Sequence, residues 1–482
     1  MPKLVFLATD IALYLLVLGM VAYALVVRAR PDLRATWARV FEAPAPACGA
    51  LLLAVFMLIA LADSLHYRPL LPAVPGAPPA YATRTLSVLD QLLMAPLSAV
   101  EKTYSAPLAY ESFSKEPVVV DGVQQRIFPR LAHGGAHLTD PRTQWAGDVL
   151  IKGGVGLLAG AGCGLLLAWL LLRRSERLPR FALMATATVL GALVGALAAL
   201  APFYHVFGTD RTGNDVMVQA IKSIRTAVVM GALTTLATLP FAIVFGVMAG
   251  YFRGWVDDVI QYVYTTLSSV PNVLLIAACV LMIQVFIDNN PQLFETGLER
   301  ADLRLFLLCV ILGVTGWAGL CRLLRGETLK LRELDYVQAA IAFGASPWRI
   351  MARHVLPNVT HVVLITVVLD FSAIVLYEAV LSYVGVGVDP STNSFGSMIN
   401  LARTEMARDP LVWWNLATAF VVMIGLVLAA NLFADGVRDA FDPRSRGFRA
   451  RQRRGRVAAG ADGGPGTTGT TGAPRAATEA GA

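Results

Sequence analysis

The sequence has few charged residues and only five cysteines. Of its 482 residues, 15% are charged and 56% are apolar, whereas soluble domains have about 25% charged and about 45–50% apolar residues. Although the formal net charge is +7, no basic patch is interleaved with aromatic residues in the way that would indicate nucleic-acid binding. The excess of apolar residues therefore predicts a membrane protein rather than one large soluble core.

Several chemical motifs are absent from the sequence. The cysteines show no CxxC spacing, and each lies within or beside an apolar run, so we expect core-filling thiols and no metal site. The sequence contains neither the phosphate loop GxxxxGK[ST] nor HExxH. No histidine pairs convincingly with a serine or cysteine, which leaves the alternative of an intramembrane hydrolase without support. We therefore expect a protein that is not an enzyme and binds no cofactor itself.

Long apolar runs dominate what the sequence does contain. A membrane-spanning helix needs about 20 apolar residues, and nine runs meet that requirement. They lie near residues 4–27, 46–63, 153–172, 181–203, 226–251, 262–287, 305–324, 359–386 and 411–434. These runs predict an all-α polytopic membrane protein. The first run has the length of a leader, but the arginines after it favour a retained membrane anchor.

The basic loops predict the orientation of these spans. Arginine and lysine are enriched in residues 28–45, 173–180 and 325–358 and in the segment after residue 438. All four segments fall on one side of the membrane if the N-terminus lies outside. Because basic loops stay in the cytoplasm, we expect a multi-pass protein of a bacterial cytoplasmic membrane, with its C-terminus inside.

Residues 334–358 form a short, basic segment between two apolar runs. A capping box at Asp335 and Gln338 predicts a helix over residues 336–343. Gly344 is placed to end that helix in a left-handed conformation. A second helix should follow and end at Pro357. A helical hairpin of this size cannot bury its own apolar side chains, so it needs a surface to pack against.

The stretch HVFGTDRTGND follows the fourth apolar run. Its glycines permit turns and its aspartates can cap the amphipathic segment 216–225. The residues concerned are Gly208, Thr209, Asp210, Gly213 and Asp215. Two interpretations remain open at this point, a gate on the outer side of the membrane and a capped turn with no role in transport.

Two carboxylates, Asp370 and Glu378, lie inside the eighth apolar run. Charged residues within a membrane are costly and usually face a bundle interior or water. A spacing of eight residues places the two side chains on roughly the same face of a helix. They could line a pathway or relay protons in a secondary carrier, or they could make structural hydrogen bonds.

Three stretches resemble motifs of ABC-importer permeases of the dipeptide and oligopeptide type. The segment 338–357 resembles the EAA loop, with Gln338-Ala339-Ala340, Gly344 and Leu356-Pro357 in the motif positions and Gln in place of Glu. HVFGTDRTGND resembles the signature that precedes the permease core, with Asn214 in place of Arg. Beyond the last run, NLFADGVRDAFDPRSR resembles the C-terminal ending of the same family.

The resemblance implies a six-helix type I importer core that works by alternating access. It implies that the hairpin docks on a cytoplasmic ATPase through the motif residues together with Trp348, Arg349 and Arg353. The expected partners are a second permease, two ATP-binding subunits that hold ATP and Mg²⁺, and a substrate-binding protein, with lipid around the spans. Peptides are the commonest cargo of such permeases, while nickel and other solutes remain alternatives.

The apolar runs and the resemblance together divide the chain into three parts. Residues 1–180 are predicted to form an N-terminal extension with three spans and an outward-facing insert at 64–148. Residues 181–446 are predicted to form the permease core, which includes the coupling hairpin at 334–358. Residues 447–482 are predicted to be a basic and then disordered tail, because they contain few large apolar side chains.

Overall fold

Long helices form most of the fold in a computed structural model, which describes residues 3–71, 81–82, 84–120, 123–173, 177–294 and 296–441. Within those ranges, nine helical segments are long and apolar enough to cross a membrane, with mean hydropathies from 1.9 to 2.4. They confirm the predicted all-α polytopic architecture. The predicted tail, 447–482, lies outside the described residues.

The bounds of the helices follow the apolar runs closely. In chain order the helices are α1 (Ala8–Ala29), α2 (Pro31–Glu42), α3 (Pro44–Ser64), α4 (Val88–Leu92), α5 (Met94–Ser98), α6 (Pro141–Leu172), α7 (Arg180–Leu200), α8 (Val216–Phe252), α9 (Trp255–Ser269), α10 (Asn272–Asn289), α11 (Gly297–Gly316), α12 (Ala318–Arg332), α13 (Asp335–Ala342), α14 (Pro347–Ile350), α15 (Leu356–Val384), α16 (Phe395–Glu405) and α17 (Trp414–Phe441).

Two small antiparallel sheets accompany the helices. One has the order β1-β2-β3, and the other is the hairpin β4-β5. The strands are β1 (Lys3–Val5), β2 (His66–Arg68), β3 (Leu86–Ser87), β4 (Glu116–Val120) and β5 (Val123–Ile127). Lys3 lies opposite Arg68, so the beginning of α1 and the end of α3 lie at the same end of the bundle. Strands of two to five residues are too short to show a clear period of two, and the sequence analysis did not predict them.

Helix α8 is the central element of the bundle. Its 37 residues span about 55 Å, and α3, α11, α12, α15 and α17 pack against it. We call the end that carries residues 84–120, 123–140 and 201–215 the insert end. The other end carries residues 334–358 and is called the hairpin end. A helix of this length can join events at one end of the molecule to events at the other.

Helices α6 and α7 pack mainly on each other, through facing glycines. A Cβ atom added at Gly160 would lie 2.1 Å from the Gly191 carbonyl oxygen, so the backbones approach as only small residues permit. Helix α3, in contrast, packs against α8 and α17. The predicted domain boundary at residue 181, which assigns α7 to the core and α3 to the extension, stays a prediction.

Proline divides the sixth apolar run. The run was predicted as one span over residues 262–287, but α9 ends at Ser269 and α10 begins at Asn272. Val270 is extended, with ψ 132°, as the residue before a proline prefers. Pro240 has no such effect, since α8 continues through it.

Candidate functional site

The first helix of the hairpin begins one residue earlier than predicted. Helix α13 starts at Asp335, Leu334 occupies the N-cap position, and no side chain caps the helix. The predicted capping box is therefore wrong, because Asp335 lies inside the first turn, where its carboxylate can still interact with the helix dipole. Gln338 donates a hydrogen bond from Nε2 to the Arg332 carbonyl oxygen at 2.9 Å.

The turn between the two helices agrees with the prediction, but the end of the second helix does not. Gly344 has φ +73°, the left-handed conformation expected of it. After α14, residues Met351–Val355 form a π-helical turn, in which the Leu356 N–H donates to the Met351 carbonyl oxygen. Pro357 does not end the helix, because it lies in the first turn of α15, where its missing N–H is tolerated.

One face of the hairpin is buried in the bundle. Val337, Ile350 and Val355 are each at most 1% exposed, and they pack in a cluster with Tyr251 of α8 and Leu324 of α12. Burial of these side chains anchors the hairpin to the two helices that lead into the membrane.

The opposite face of the hairpin carries aromatic and basic side chains that the chain leaves exposed. Phe343 is 90% exposed, Trp348 63% and Tyr336 44%. We define the exposed hairpin surface as Tyr336, Phe343, Trp348, Arg349 and Arg353. The other predicted coupling residues lie on or beside it, with Gln338, Ala339, Leu356 and Pro357 exposed and Ala340 partly buried.

Two contacts connect the hairpin end to neighbouring helices. The rings of Trp348 and Phe252 lie 6.1 Å apart in an edge-on arrangement. The Arg325 guanidinium donates two hydrogen bonds of 2.6 Å to the Asp257 carboxylate, a bidentate geometry that fixes α12 against α9. Movement of the hairpin would therefore also move the ends of α8, α9 and α12.

The GTD stretch forms a tight loop at the insert end. Gly213 has φ +79°, and a Cβ atom there would lie 1.8 Å from the Glu101 carbonyl oxygen. Gly208 is also left-handed, with φ +75°. Asp215 caps α8 by accepting hydrogen bonds from the N–H groups of Met217 and Val218, which confirms the predicted cap.

Asp210 has a different role from the one predicted. Its carboxylate accepts hydrogen bonds from the Thr212 and Asn214 N–H groups at 2.8 and 3.0 Å and from Gln219 Nε2 at 2.6 Å. It therefore stabilises the turn rather than the helix terminus. The Thr209 hydroxyl accepts from the Ser105 N–H at 2.7 Å, which joins this loop to the insert.

A buried charged group fixes the insert to the GTD loop. Glu101 accepts hydrogen bonds from three N–H groups of residues 132–134, and its Oε1 lies 3.5 Å from His205 Nε2, an ion-pair distance. His205 Nδ1 lies 2.8 Å from an Asp215 oxygen. We call Glu101, His205 and Asp215 the insert clamp. Glu101 and His205 were not predicted as site residues, because residues about 100 positions apart give no local sequence signal of their contact.

The surroundings of the insert clamp shift the pKa values of Glu101 and His205. Burial alone would raise the pKa of Glu101, but the hydrogen bonds to its carboxylate outweigh burial and lower the pKa to about 2. Burial alone would lower the pKa of His205, but the Asp215 and Glu101 carboxylates raise it to about 9. His205 is therefore protonated at neutral pH, and the clamp is ionic.

The two carboxylates of α15 have different surroundings. Glu378 is 1% exposed and accepts a hydrogen bond from the Ser382 hydroxyl at 2.8 Å. Its Oε1 also lies near Gly396 of α16. Asp370 is only partly buried. The geometry thus gives Glu378 a structural contact and does not join the two carboxylates into a relay.

A second buried ionic group, which the sequence analysis did not predict, joins α1 to the core. Arg225 of α8 lies 2.6 Å from the Asp10 carboxylate and 3.5 Å from that of Asp302 in α11. His66 Nδ1 is 2.8 Å from the second Asp10 oxygen. Asp10 and Asp302 both lie within apolar helices, and a charge at such a position usually has a partner. These two residues could therefore have indicated a buried ion pair from the sequence.

The fold and the site together define a polytopic membrane protein whose helix-anchored hairpin lies at one end of the bundle. Residues 242–447 match the profile of a family described as "Binding-protein-dependent transport system inner membrane component". The chain belongs to this family, that of the inner-membrane permeases of ABC importers, and is a multi-pass membrane protein. The secondary-carrier alternative receives no support from the comparisons.

Relatives with named functions match about half of this chain. The oligopeptide transport system permease protein of Mycobacterium tuberculosis is 31% identical over 245 residues, which cover 51% of this chain and 78% of the relative. The dipeptide transport system permease protein of Bacillus subtilis is 30% identical over 243 residues, 50% of this chain and 69% of the relative. That of Lactococcus lactis is 30% identical over 241 residues, 50% of this chain but only 64% of the relative's length.

Proposed function

We propose that this permease carries dipeptides or short oligopeptides across the cytoplasmic membrane. The names of its relatives support this cargo, since they include dipeptide and oligopeptide permeases. A glutathione permease of Pectobacterium atrosepticum is 29% identical over 240 residues, and glutathione is itself a peptide. The cargo is therefore expected to carry an amide backbone with a free amino group and a free carboxylate.

The exposed hairpin surface is the observation on which the proposed coupling mechanism depends. A tryptophan 63% exposed and a phenylalanine 90% exposed, with two arginines beside them, have the composition of a protein interface. In this proposal the surface docks on one of two partner ATPases, which bind ATP and Mg²⁺. Gln338, Ala339, Ala340, Leu356 and Pro357 form the edge of the docking site.

Nucleotide binding to the ATPases would move the hairpin, and the hairpin would move the bundle. Its buried face packs on α8 and α12, so a displacement is transmitted along helices rather than absorbed by a loop. Two packings of the bundle with different affinities for the cargo then give alternating access. A second permease subunit completes the pathway in this proposal.

The insert end is proposed to face outward and to receive the substrate-binding protein. The arginine-rich loops at 28–45 and 173–180 support the opposite, cytoplasmic location of the hairpin end. The N-terminus would then lie outside and the C-terminus inside. The GTD loop, held by the insert clamp, would form part of the outer gate.

Removal of the exposed aromatic side chains tests this proposal. In Phe343→Ala and Trp348→Ala variants we expect the ATPase subunits to be lost from this chain when it is purified through an affinity tag, and uptake of a labelled dipeptide to fall at least about tenfold. Trp169→Ala is the matched control, since Trp169 is 52% exposed on α6, away from the hairpin. Normal ATPase recovery in both hairpin variants would contradict the proposed docking surface.

A further inference from the structure

Asp370 lies at the midpoint of the membrane-spanning helix α15. That helix runs from Leu356 to Val384, and Asp370 is fourteen residues from each end, or about 21 Å along the axis. The hydrocarbon core of a bilayer is about 30 Å thick. The carboxylate is therefore placed near the middle of the membrane, where no lipid headgroup can reach it.

No side chain of the described part of the chain pairs with Asp370. The carboxylate makes no hydrogen bond or ion pair with any residue there. Other carboxylates inside apolar helices are partnered, as Glu378 is by Ser382 and Asp10 by Arg225. A structural role of that kind does not account for Asp370.

Asp370 belongs to a line of polar groups on one face of α15. Thr366 lies four residues before it and Tyr377 seven residues after it, spacings that place all three on one side of the helix. The Tyr377 hydroxyl is buried and approaches Asn272 without a hydrogen bond of ordinary geometry. Asn272 begins α10 directly after the break at Pro271.

An unpaired carboxylate at this depth requires water or a cation nearby. Charged side chains in membrane proteins face a pathway or a paired charge rather than lipid, and irregular backbone such as the break at Pro271 is tolerated where it lines a cavity. The polar line on α15 and the break before α10 lie on the same side of the bundle, and that side is the candidate for the pathway wall.

We propose that Asp370 is a substrate-binding residue, whose carboxylate binds the protonated amino group of the cargo midway through the membrane. An ammonium group offers three hydrogen-bond donors, and the two carboxylate oxygens of Asp370 can accept from it. This inference rests on the proposed function, because it assigns the site to a cargo with a free amino group.

Uptake by the intact importer tests the assignment. The complex is isolated from its own membrane through a tag on this chain and reconstituted in liposomes with its binding protein, and the maximal rate of dialanine uptake is measured. We expect Asp370→Asn to lower that rate about tenfold or more, while Asp370→Glu keeps most of it. ATP hydrolysis and recovery of the partner subunits should be unchanged in both variants.

One control variant is matched to Asp370→Asn, and three outcomes would contradict the proposal. Asp258→Asn makes the same chemical change at an exposed position on α9 and should transport dialanine normally. A normal rate in Asp370→Asn would overturn the proposal. Loss of the partner subunits from that variant would overturn it too, since Asp370 would then pair with a cation of another subunit. If Asp370→Asn lowers the uptake of N-acetyl-dialanine as much as that of dialanine, the amino group is excluded as the ligand of Asp370.

Failure of the proposed function has a different signature. If the wild-type complex takes up neither dialanine nor longer alanine peptides, the peptide cargo is wrong, and the assignment of Asp370 to its amino group fails with it. If the wild-type complex transports dialanine and Asp370→Asn does so equally well, only the assignment of Asp370 fails.

Discussion

Gly344 determines the angle between the two helices of the hairpin. Its φ of +73° is accessible to glycine without steric cost, whereas a β-branched residue would clash with its own backbone. No heavy atom lies within 4 Å of the place where a Cβ would stand. The requirement for glycine is therefore conformational and not a matter of space.

Gly344→Val is expected to abolish uptake while the protein remains in the membrane. The strain of a valine in the left-handed region, about 1–3 kcal/mol, would change the path of the hairpin and displace the exposed hairpin surface. Uptake is measured in cells, and the membrane level of the protein by immunoblot. Ala342→Val, two residues away in α13, introduces the same side chain at helical φ and should transport normally. Normal uptake by Gly344→Val would count against a coupling role.

Local sequence predicted the turns at the residue scale better than it predicted the helix ends. Gly344 is left-handed as expected, and Gly208 and Gly213, which were expected to permit turns, lie in turns with positive φ. The Asp335 capping box and the Pro357 stop were wrong. At Asp335, the helix begins one residue earlier than predicted. At Pro357, a π-helical turn places the proline in the first turn of α15. The local sequence permits both of these arrangements as readily as the predicted ones.

At the scale of elements, the insert clamp joins segments that are distant in the sequence. Glu101 belongs to the insert, His205 to the loop before α8, and Asp215 to the α8 cap. All three members of the insert clamp are almost fully buried, so loss of the His205 charge would leave two buried carboxylates without a cation. The position of the insert should therefore depend on pH.

The pH range of that dependence follows from the two pKa shifts. The pKa of His205 is raised from 6.5 to about 9, so its stabilisation is complete below about pH 6.5 and is lost as the pH rises through 9. The pKa of Glu101 is lowered from 4.5 to about 2, so its stabilisation is complete above about pH 4.5 and is lost as the pH falls toward 2. The clamp is strongest between these limits.

We expect the Thr209 amide, which donates to the Ser105 carbonyl oxygen, to be most protected from hydrogen exchange between about pH 4.5 and 6.5. After correction for intrinsic exchange, the free energy of opening should fall by an amount on the order of 3 kcal/mol as the pH rises past 9. His205→Asn should remove this alkaline loss and show low protection throughout. Equal protection at pH 6 and pH 10 in the wild-type protein would contradict the ionic clamp.

Arg225 connects three helices through buried charges. Its replacement by alanine would remove the guanidinium that lies between the buried Asp10 and Asp302 carboxylates, which costs about 3–5 kcal/mol. We expect Arg225→Ala to lower the melting temperature of the detergent-solubilised protein markedly. Arg211→Ala, a change at an exposed loop position, is the control and should leave it unchanged. An unaltered melting temperature for Arg225→Ala would show that this group does not stabilise α1 against the core.

For the whole molecule, apolar patterning predicted the number of spans and little of their arrangement. In the part of the chain that the structure describes, nine runs became nine helical segments able to span a membrane, because the bilayer sets their length. The packing of α3 against α8 and the pairing of α6 with α7 depend on contacts between distant residues. The sixth run is divided at Pro271, although proline elsewhere, as at Pro240, is tolerated within a helix. Sequence alone could not distinguish these two outcomes.

At the scale of the whole molecule, the central claim is that ATP hydrolysis by partner subunits drives transport. The chain contains no phosphate loop, and its exposed hairpin surface is proposed to receive the movement of partner ATPases. Dipeptide uptake into proteoliposomes with the complete importer, with ATP present on the hairpin side, tests this most directly. We predict that uptake stops when ATP is withheld and continues when a protonophore collapses the proton gradient. Uptake that continues without ATP and stops with the protonophore would contradict the account.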